Sequence, residues 1–261
     1  MKKSLRDENC LVLQEDPTPF HFRGNGEIGV LLLHGFGGTP REMEPLGKYL
    51  HERGQTVYAP LMPGHGASVA NINTYTWHAW TAATSQAFQV LQESCDTVFV
   101  AGFSMGSLLA LWLAINTKDC AGLILYSPAL KVADWRINLT PLLRHFVASI
   151  PKSERSDLSD PAAERFLGGF PRSPVRAAAE LNHLRRYVSR HIHRISTPAC
   201  VVYSVLDKSI HPDSGQLTVR TLSRFVPVES LVLYGSGHAV VVDAEWETVA
   251  RQSYKFIQDK V

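Results

Sequence analysis

Cysteine is scarce: Cys10, Cys95, Cys120 and Cys200 are the only four in 261 residues, with no CxxC pair among them. Disulfide staples and a thiolate metal site are therefore not expected, and a chain this long, which buries about three-quarters of its unfolded surface, needs neither. Reduced thiols and a cytoplasmic setting are the expectation. An excess of one charge is also lacking, since 26 Lys+Arg against 24 Asp+Glu leave a formal +2. That is too little for a phosphate-neutralising surface, so no nucleic-acid partner is expected. The longest strictly apolar run, Leu108 to Ile115, has eight residues, where a bilayer-spanning helix needs ~20. Residues 1–9 are charged where an export signal would be apolar, and none is expected. HExxH and clustered acidic ligands are missing too, which argues against a metal.

With 45% hydrophobic and 19% charged residues, the composition is that of an ordinary globular chain. Five short apolar runs bounded by turn residues read as buried strands: Val30–Leu33, Val98–Ala101, Leu123–Tyr126, Ala199–Tyr203 and Leu231–Tyr234, with Thr56–Ala59 as a sixth. Continuous rather than alternating hydrophobicity means that both faces are covered, the condition of a parallel sheet. Helical patterns lie between the strands, at Met43–Glu52, along Trp77, Trp80, Thr84, Ala87 and Leu91, and along Trp246, Val249, Ser253 and Phe256. The alternation predicts an α/β fold, a mostly parallel doubly wound sheet forming one domain over 1–261. Leu11–Leu13 and Phe20–Phe22 are candidates for an antiparallel hairpin at one edge. The rhythm breaks between Tyr126 and Ala199, where an insertion of about 128–195 is expected. Its middle, Pro151 to Pro174, is loop-like, and its end carries an amphipathic helix from Pro174 to Ile192 with Arg185, Arg186 and Arg190 off the apolar stripe.

Gly102-Phe103-Ser104-Met105-Gly106 joins a predicted strand to a predicted helix. A serine raised on so sharp a turn needs small residues two before and two after it, and the helix behind it aims amide dipoles at an oxyanion. Serine is a weak nucleophile near neutrality and requires a base oriented by a carboxylate. In a doubly wound sheet these should follow later strands, at the carboxyl edge. Asp207 and His238 do, and the order Ser104, Asp207, His238 is nucleophile, acid, base. The rivals Asp213 and His211 are better explained as a helix-start carboxylate and a loop residue, and His191 and His193 as surface groups. An oxyanion hole is expected from the amides of Met105, just after the serine, and Phe36, in the glycine-rich loop His34-Gly35-Phe36-Gly37-Gly38-Thr39. His34 and His65 read as loop anchors rather than catalytic groups or metal ligands.

Leu31 to Pro40, the turn Pro63-Gly64-His65-Gly66, the GFSMG pentapeptide, Asp207 and Ser236-Gly237-His238 together resemble bacterial carboxylesterases and monoacylglycerol lipases of the α/β-hydrolase superfamily. The resemblance implies an α/β-hydrolase fold with a small inserted cap. It implies a serine esterase acting, without a cofactor, on carboxylic esters of short to medium acyl chains, with small-molecule esters and monoacylglycerols as candidate substrates. By motif it assigns Ser104, Asp207 and His238 to the triad and Phe36 and Met105 to the oxyanion hole. Candidates for an apolar acyl trough are Phe36, Trp135, Leu139, Leu142, Leu143, Phe146, Phe166, Leu167 and Phe170. A thioesterase or carbon–carbon hydrolase, or a non-catalytic small-ligand binder, would use the same fold. The basic face of Arg185, Arg186, Arg190 and Arg194 is a candidate for peripheral contact with anionic lipid, a solvated charged face being the plainer reading. Oligomeric state is not legible.

Overall fold

A computed structural model describes residues 17–132, 140–144, 146–151 and 157–261. Seven strands form one sheet: β1 (Phe20–Phe22), β2 (Ile28–Leu33), β3 (Thr56–Ala59), β4 (Thr97–Phe103), β5 (Gly122–Tyr126), β8 (Ala199–Ser204) and β9 (Val228–Leu233). Their spatial order is β1-β3-β2-β4-β5-β8-β9, and every neighbouring pair is parallel except β1 with β3. The six predicted core strands are all present. Of the expected edge hairpin, Phe20–Phe22 is present as an antiparallel edge strand, paired with Thr56–Ala59, while Leu11–Leu13 lies outside the described residues.

The apolar runs are continuous because alternate residues supply two cores. Leu31, Leu33, Val98, Val100, Leu123, Leu125, Ala199 and Val201 join one cluster with α3 (Trp77–Gln92) and α4 (Met105–Asn116). Val30, Leu32, Phe99, Ala101, Ile124, Tyr126, Cys200 and Val202 face the other, with α1 (Glu44–His51) and α8 (Trp246–Gln258). The period of two thus sends side chains to opposite faces that are both dry. α1 is preceded by a 3-10 turn, Pro40–Met43, so the predicted Met43–Glu52 helix begins as a tighter coil at Pro40. A single turn, α2 (Val69–Ile72), is capped by the Ser68 hydroxyl, which accepts from the Asn71 N–H at 3.1 Å. α7 (Ser214–Leu222) separates β8 from β9.

Between β5 and β8 lies the inserted segment. Its described parts are α5 (Thr140–Leu143), β6 (Ser149–Pro151), β7 (Arg172–Pro174), a 3-10 helix at Pro161–Phe166 and α6 (Val175–His191). The stretch read as a loop is closed at its base, because β6 pairs antiparallel with β7. α6 packs on α4, and this explains the longest apolar run of the chain: α4 touches the sheet on one side and α6 on the other, so Leu108 to Ile115 is buried nearly all round. The basic face of α6 is smaller than expected. Arg185 turns inward, donating to Asn182 Oδ1 at 2.7 Å and to the Leu130 carbonyl at 3.4 Å, while Arg186, Arg190 and Arg194 stay exposed. No helix among the described residues is long and apolar enough to cross a membrane.

Phe256 tests the second core. It is fully buried, and its ring stands edge-on to that of Phe99 at 6.4 Å. Phe256→Ala is expected to lower unfolding stability by about 3 to 5 kcal/mol, read as a shift of the urea midpoint at unchanged slope; a loss below about 1 kcal/mol would contradict this packing.

Candidate active site

Each side chain of the site sits just past the carboxyl end of a strand. β4 ends at Phe103, and α4 begins at Met105, so a single residue, Ser104, must reverse the chain direction. It does so at φ 54°, ψ −107°, a conformation that L residues rarely adopt. Two close approaches hold it there. A Cβ on Gly102 would collide with the Gly106 carbonyl, and one on Gly106 would collide with the Leu33 carbonyl, so β2, β4 and α4 meet more tightly than any other residue type allows. The Ser104 N–H donates to the Tyr126 carbonyl at 2.9 Å, and the buried Ser107 hydroxyl lies 2.6 Å from the Gly102 carbonyl.

The structure brings the three separated side chains together. His238 Nε2 lies 3.0 Å from Ser104 Oγ, and His238 Nδ1 lies 2.6 Å from Asp207 Oδ2. Asp207 is buried, and its other oxygen accepts N–H groups from Ser209 at 2.9 Å and Ile210 at 3.0 Å. A carboxylate held by the turn that follows it and facing Nδ1 fixes that nitrogen as the protonated one, leaving Nε2 free to accept from the serine. Burial pushes the His238 pKa down; the bond and charge of Asp207, joined by the charges of Asp157 and Glu42, more than offset this and hold it above 6.5. Asp213 is placed elsewhere. It stands at the N-terminal edge of α7, over half exposed, 3.3 Å from the Lys131 ammonium and 3.5 Å from His211 Nδ1.

The loop after β2 carries Phe36. His34 anchors it from inside: its Nε2 accepts the Met62 N–H at 3.0 Å, so Nδ1 carries the proton and donates to the Gly35 carbonyl at 2.9 Å. Burial lowers the His34 pKa to about 4 and that of His65 to about 3, so both rings are neutral at ordinary pH. The rings of His65 and Trp80 meet the Phe36 ring edge-on. Met105 is buried at the first position of α4, where a helix leaves its amide without an internal acceptor. Among the described residues, neither the Phe36 nor the Met105 N–H donates to another group. No group of three or more metal-ligating side chains occurs among the described residues.

Several contributors escaped the sequence reading. Glu42, buried, accepts the Gly35 N–H at 3.0 Å and lies under the glycines of the Phe36 loop. Ser127, at φ 42°, donates its hydroxyl to the His238 carbonyl at 2.7 Å. Ser204 donates to the Ser236 carbonyl, joining the loop of Asp207 to that of His238, and Glu245 accepts the Gly235 N–H at 2.8 Å. In sequence Glu42 looks no different from its neighbour Glu44, so no signal marked it out. Of the proposed trough, Phe146 is 79% exposed and lines no interior, and Phe170 is buried against Gly37. Phe36, Leu143, Phe166 and Leu167 are half-buried; Trp135, Leu139 and the side chain of Leu142 lie outside the described residues.

Known proteins share this frame. A thermostable monoacylglycerol lipase of Bacillus sp. (strain H-257) is 29% identical over 240 residues, 91% of this chain and 93% of that protein. A carboxylesterase of Bacillus subtilis (strain 168) is 26% identical over 244 residues, 93% of this chain and 96% of that one. A solved structure from work on two metagenome-derived lipolytic enzymes, LipS and LipT, superposes with a TM-score of 0.85 at 28% identity, covering 93% of this chain and 98% of its own. The sequence model of the alpha/beta hydrolase family matches residues 30–252, from β2 into α8 and across the turn of Ser104, Asp207 and His238; the chain belongs to that family.

Proposed function

We propose that this chain is a carboxylic ester hydrolase working through an acyl-serine intermediate, with Ser104 as nucleophile, His238 as general base and Asp207 as its orienting carboxylate. One observation carries the reading: a single imidazole within hydrogen-bond reach of both a strained serine hydroxyl and a buried carboxylate, at 3.0 and 2.6 Å. His238 takes the Ser104 proton as the oxygen attacks the ester carbonyl and returns it to the departing alcohol. Water then enters by the same base and releases the acid. The Phe36 and Met105 amides receive the oxyanion, each such donor contributing on the order of 10²- to 10³-fold to turnover in comparable enzymes.

The substrate class is proposed from the relatives, whose names are monoacylglycerol lipase and carboxylesterase. The proposed substrates are esters of short to medium acyl chains, monoacylglycerols included, with an insertion of about 128–195 acting as a cap within one domain; the half-buried Phe36 of the loop after β2 and Leu143, Phe166 and Leu167 of the insertion are the candidates for contact with the acyl chain. The unpaired, buried Cys95, Cys120 and Cys200 suit a cytoplasmic enzyme.

Ser104→Ala should lower p-nitrophenyl butyrate turnover by roughly a millionfold, as in comparable triads, and abolish labelling by a fluorophosphonate probe; retention of the parent rate would end the proposal. Rates across C2 to C16 p-nitrophenyl esters should peak at short to medium chains and extend to monoacyl- rather than triacylglycerols, a C16 or triacylglycerol optimum excluding the substrate class. The base must be neutral to act, so kcat/KM rises with pH through the elevated His238 pKa. Glu42→Gln keeps an acceptor for the Gly35 N–H but removes a charge that favours the imidazolium. Its acid limb should move to lower pH; an unmoved limb, or one displaced upward, would show that the Glu42 charge does not reach His238.

A further inference from the structure

Outside the three groups that carry the chemistry, one buried carboxylate gathers backbone donors from two distant parts of the chain. Asp243 is fully buried and accepts N–H groups from Gly237 at 2.6 Å, Asp160 at 2.8 Å, Ala244 at 2.8 Å and Ser159 at 3.0 Å. Gly237 directly precedes His238, whereas Ser159 and Asp160 belong to the insertion, 84 and 83 residues before Asp243 in sequence. Burying a carboxylate is unfavourable unless donors surround it, and four charge-assisted bonds meet that requirement only while both segments are in place.

The same seam has a second contact. The position a Cβ would take on Gly237 is filled by the Asp157 carbonyl, so the loop of the base and the insertion touch backbone to backbone. The Asp157 carboxylate accepts the Lys208 N–H at 2.8 Å, one residue beyond Asp207. Residues 157–160 therefore lie against the loop of the base and the loop of the acid at once. Further along, Phe170 packs its ring on Gly37 and Gly168 lies beside Thr39, in the loop that carries Phe36.

We propose that Asp243 is a positioning residue: by clasping Gly237 and the 159–160 segment together, it sets the distance of His238 from Ser104, so that the geometry of the base depends on the insertion being seated. The proposal rests on the reading of Ser104 and His238 as nucleophile and base. A displacement of about 1 Å in such a pair can reduce turnover some 10²-fold without loss of binding. The predicted signature is a fall in kcat with KM nearly unchanged.

Asp243→Asn keeps the size of the side chain but turns an amide NH2 toward backbone donors. Its kcat on p-nitrophenyl butyrate, expressed per site titrated with a fluorophosphonate, should fall about 10- to 100-fold with KM within about twofold. Ser159→Pro, which removes one donor from the insertion side alone, should reproduce the direction of that change. The double variant should fall little further than Asp243→Asn, since residues in one network are not additive. Parent turnover per titrated site in Asp243→Asn, even with fewer sites or lower stability, would reduce Asp243 to a structural anchor and overturn the proposal. So would full additivity of the two substitutions. Ser104→Ala assayed beside them separates the failures: if it stays active, the reading of the triad is wrong, and if it is inactive while Asp243→Asn turns over normally, only the role of Asp243 is.

Discussion

The steric squeeze around Ser104 is the constraint on which the rest of the site depends. β2, β4 and α4 approach so closely that two carbonyls fill the space a Cβ would need on Gly102 and Gly106, and the serine between them is held at φ 54°. A strained residue persists only where its surroundings over-determine it. Here those surroundings are two hydrophobic cores, one on each face of the sheet, with β2 and β4 contributing to both and α4 packed in one. The helix that receives the strain is itself clasped between the sheet and α6, which is why it is apolar nearly all round. Packing far from the crevice thus sets the posture of one hydroxyl.

Opposed electrostatic effects act on the His238 imidazole. Burial disfavours the imidazolium, and Asp207, with the more distant charges of Asp157 and Glu42, restores it. Three carboxylates around one ring favour its protonated form, which the proposed two-step acyl transfer would pass through. Glu42 is placed to serve two ends, since its oxygen also accepts the Gly35 N–H of the Phe36 loop. His34 supports the same loop from the opposite direction while remaining neutral.

The insertion is bonded into the machinery at its inner edge. Its two short strands close its base, its long helix covers α4, and residues 157–170 run from the Asp207 and His238 loops to the loop of Phe36. An insertion attached in this way can vary in its outer parts, where Phe146 stands exposed, without releasing the contacts beside the site.

The strands, the turn at Ser104 and the positions of Asp207 and His238 were legible because each depends on short-range order: an apolar run, two glycines at fixed offsets, a polar residue just past a strand. The pairing of the edge strand with β3, the inward turn of Arg185 and the closing of the insertion by β6 and β7 were not, since each depends on which distant surface offers an acceptor or a backbone partner. The roles of Glu42, Ser127, Asp157 and Asp243 were hidden for the same reason. An acidic residue reads alike on a surface and beneath a loop until the chain has folded and shown which N–H groups surround it. By itself the sequence determined the sheet, the turn and the three chemical groups, through periodicity and local sterics. Only the tertiary structure decided how they are held, because a hydrogen bond across 80 residues leaves no periodic trace in the chain.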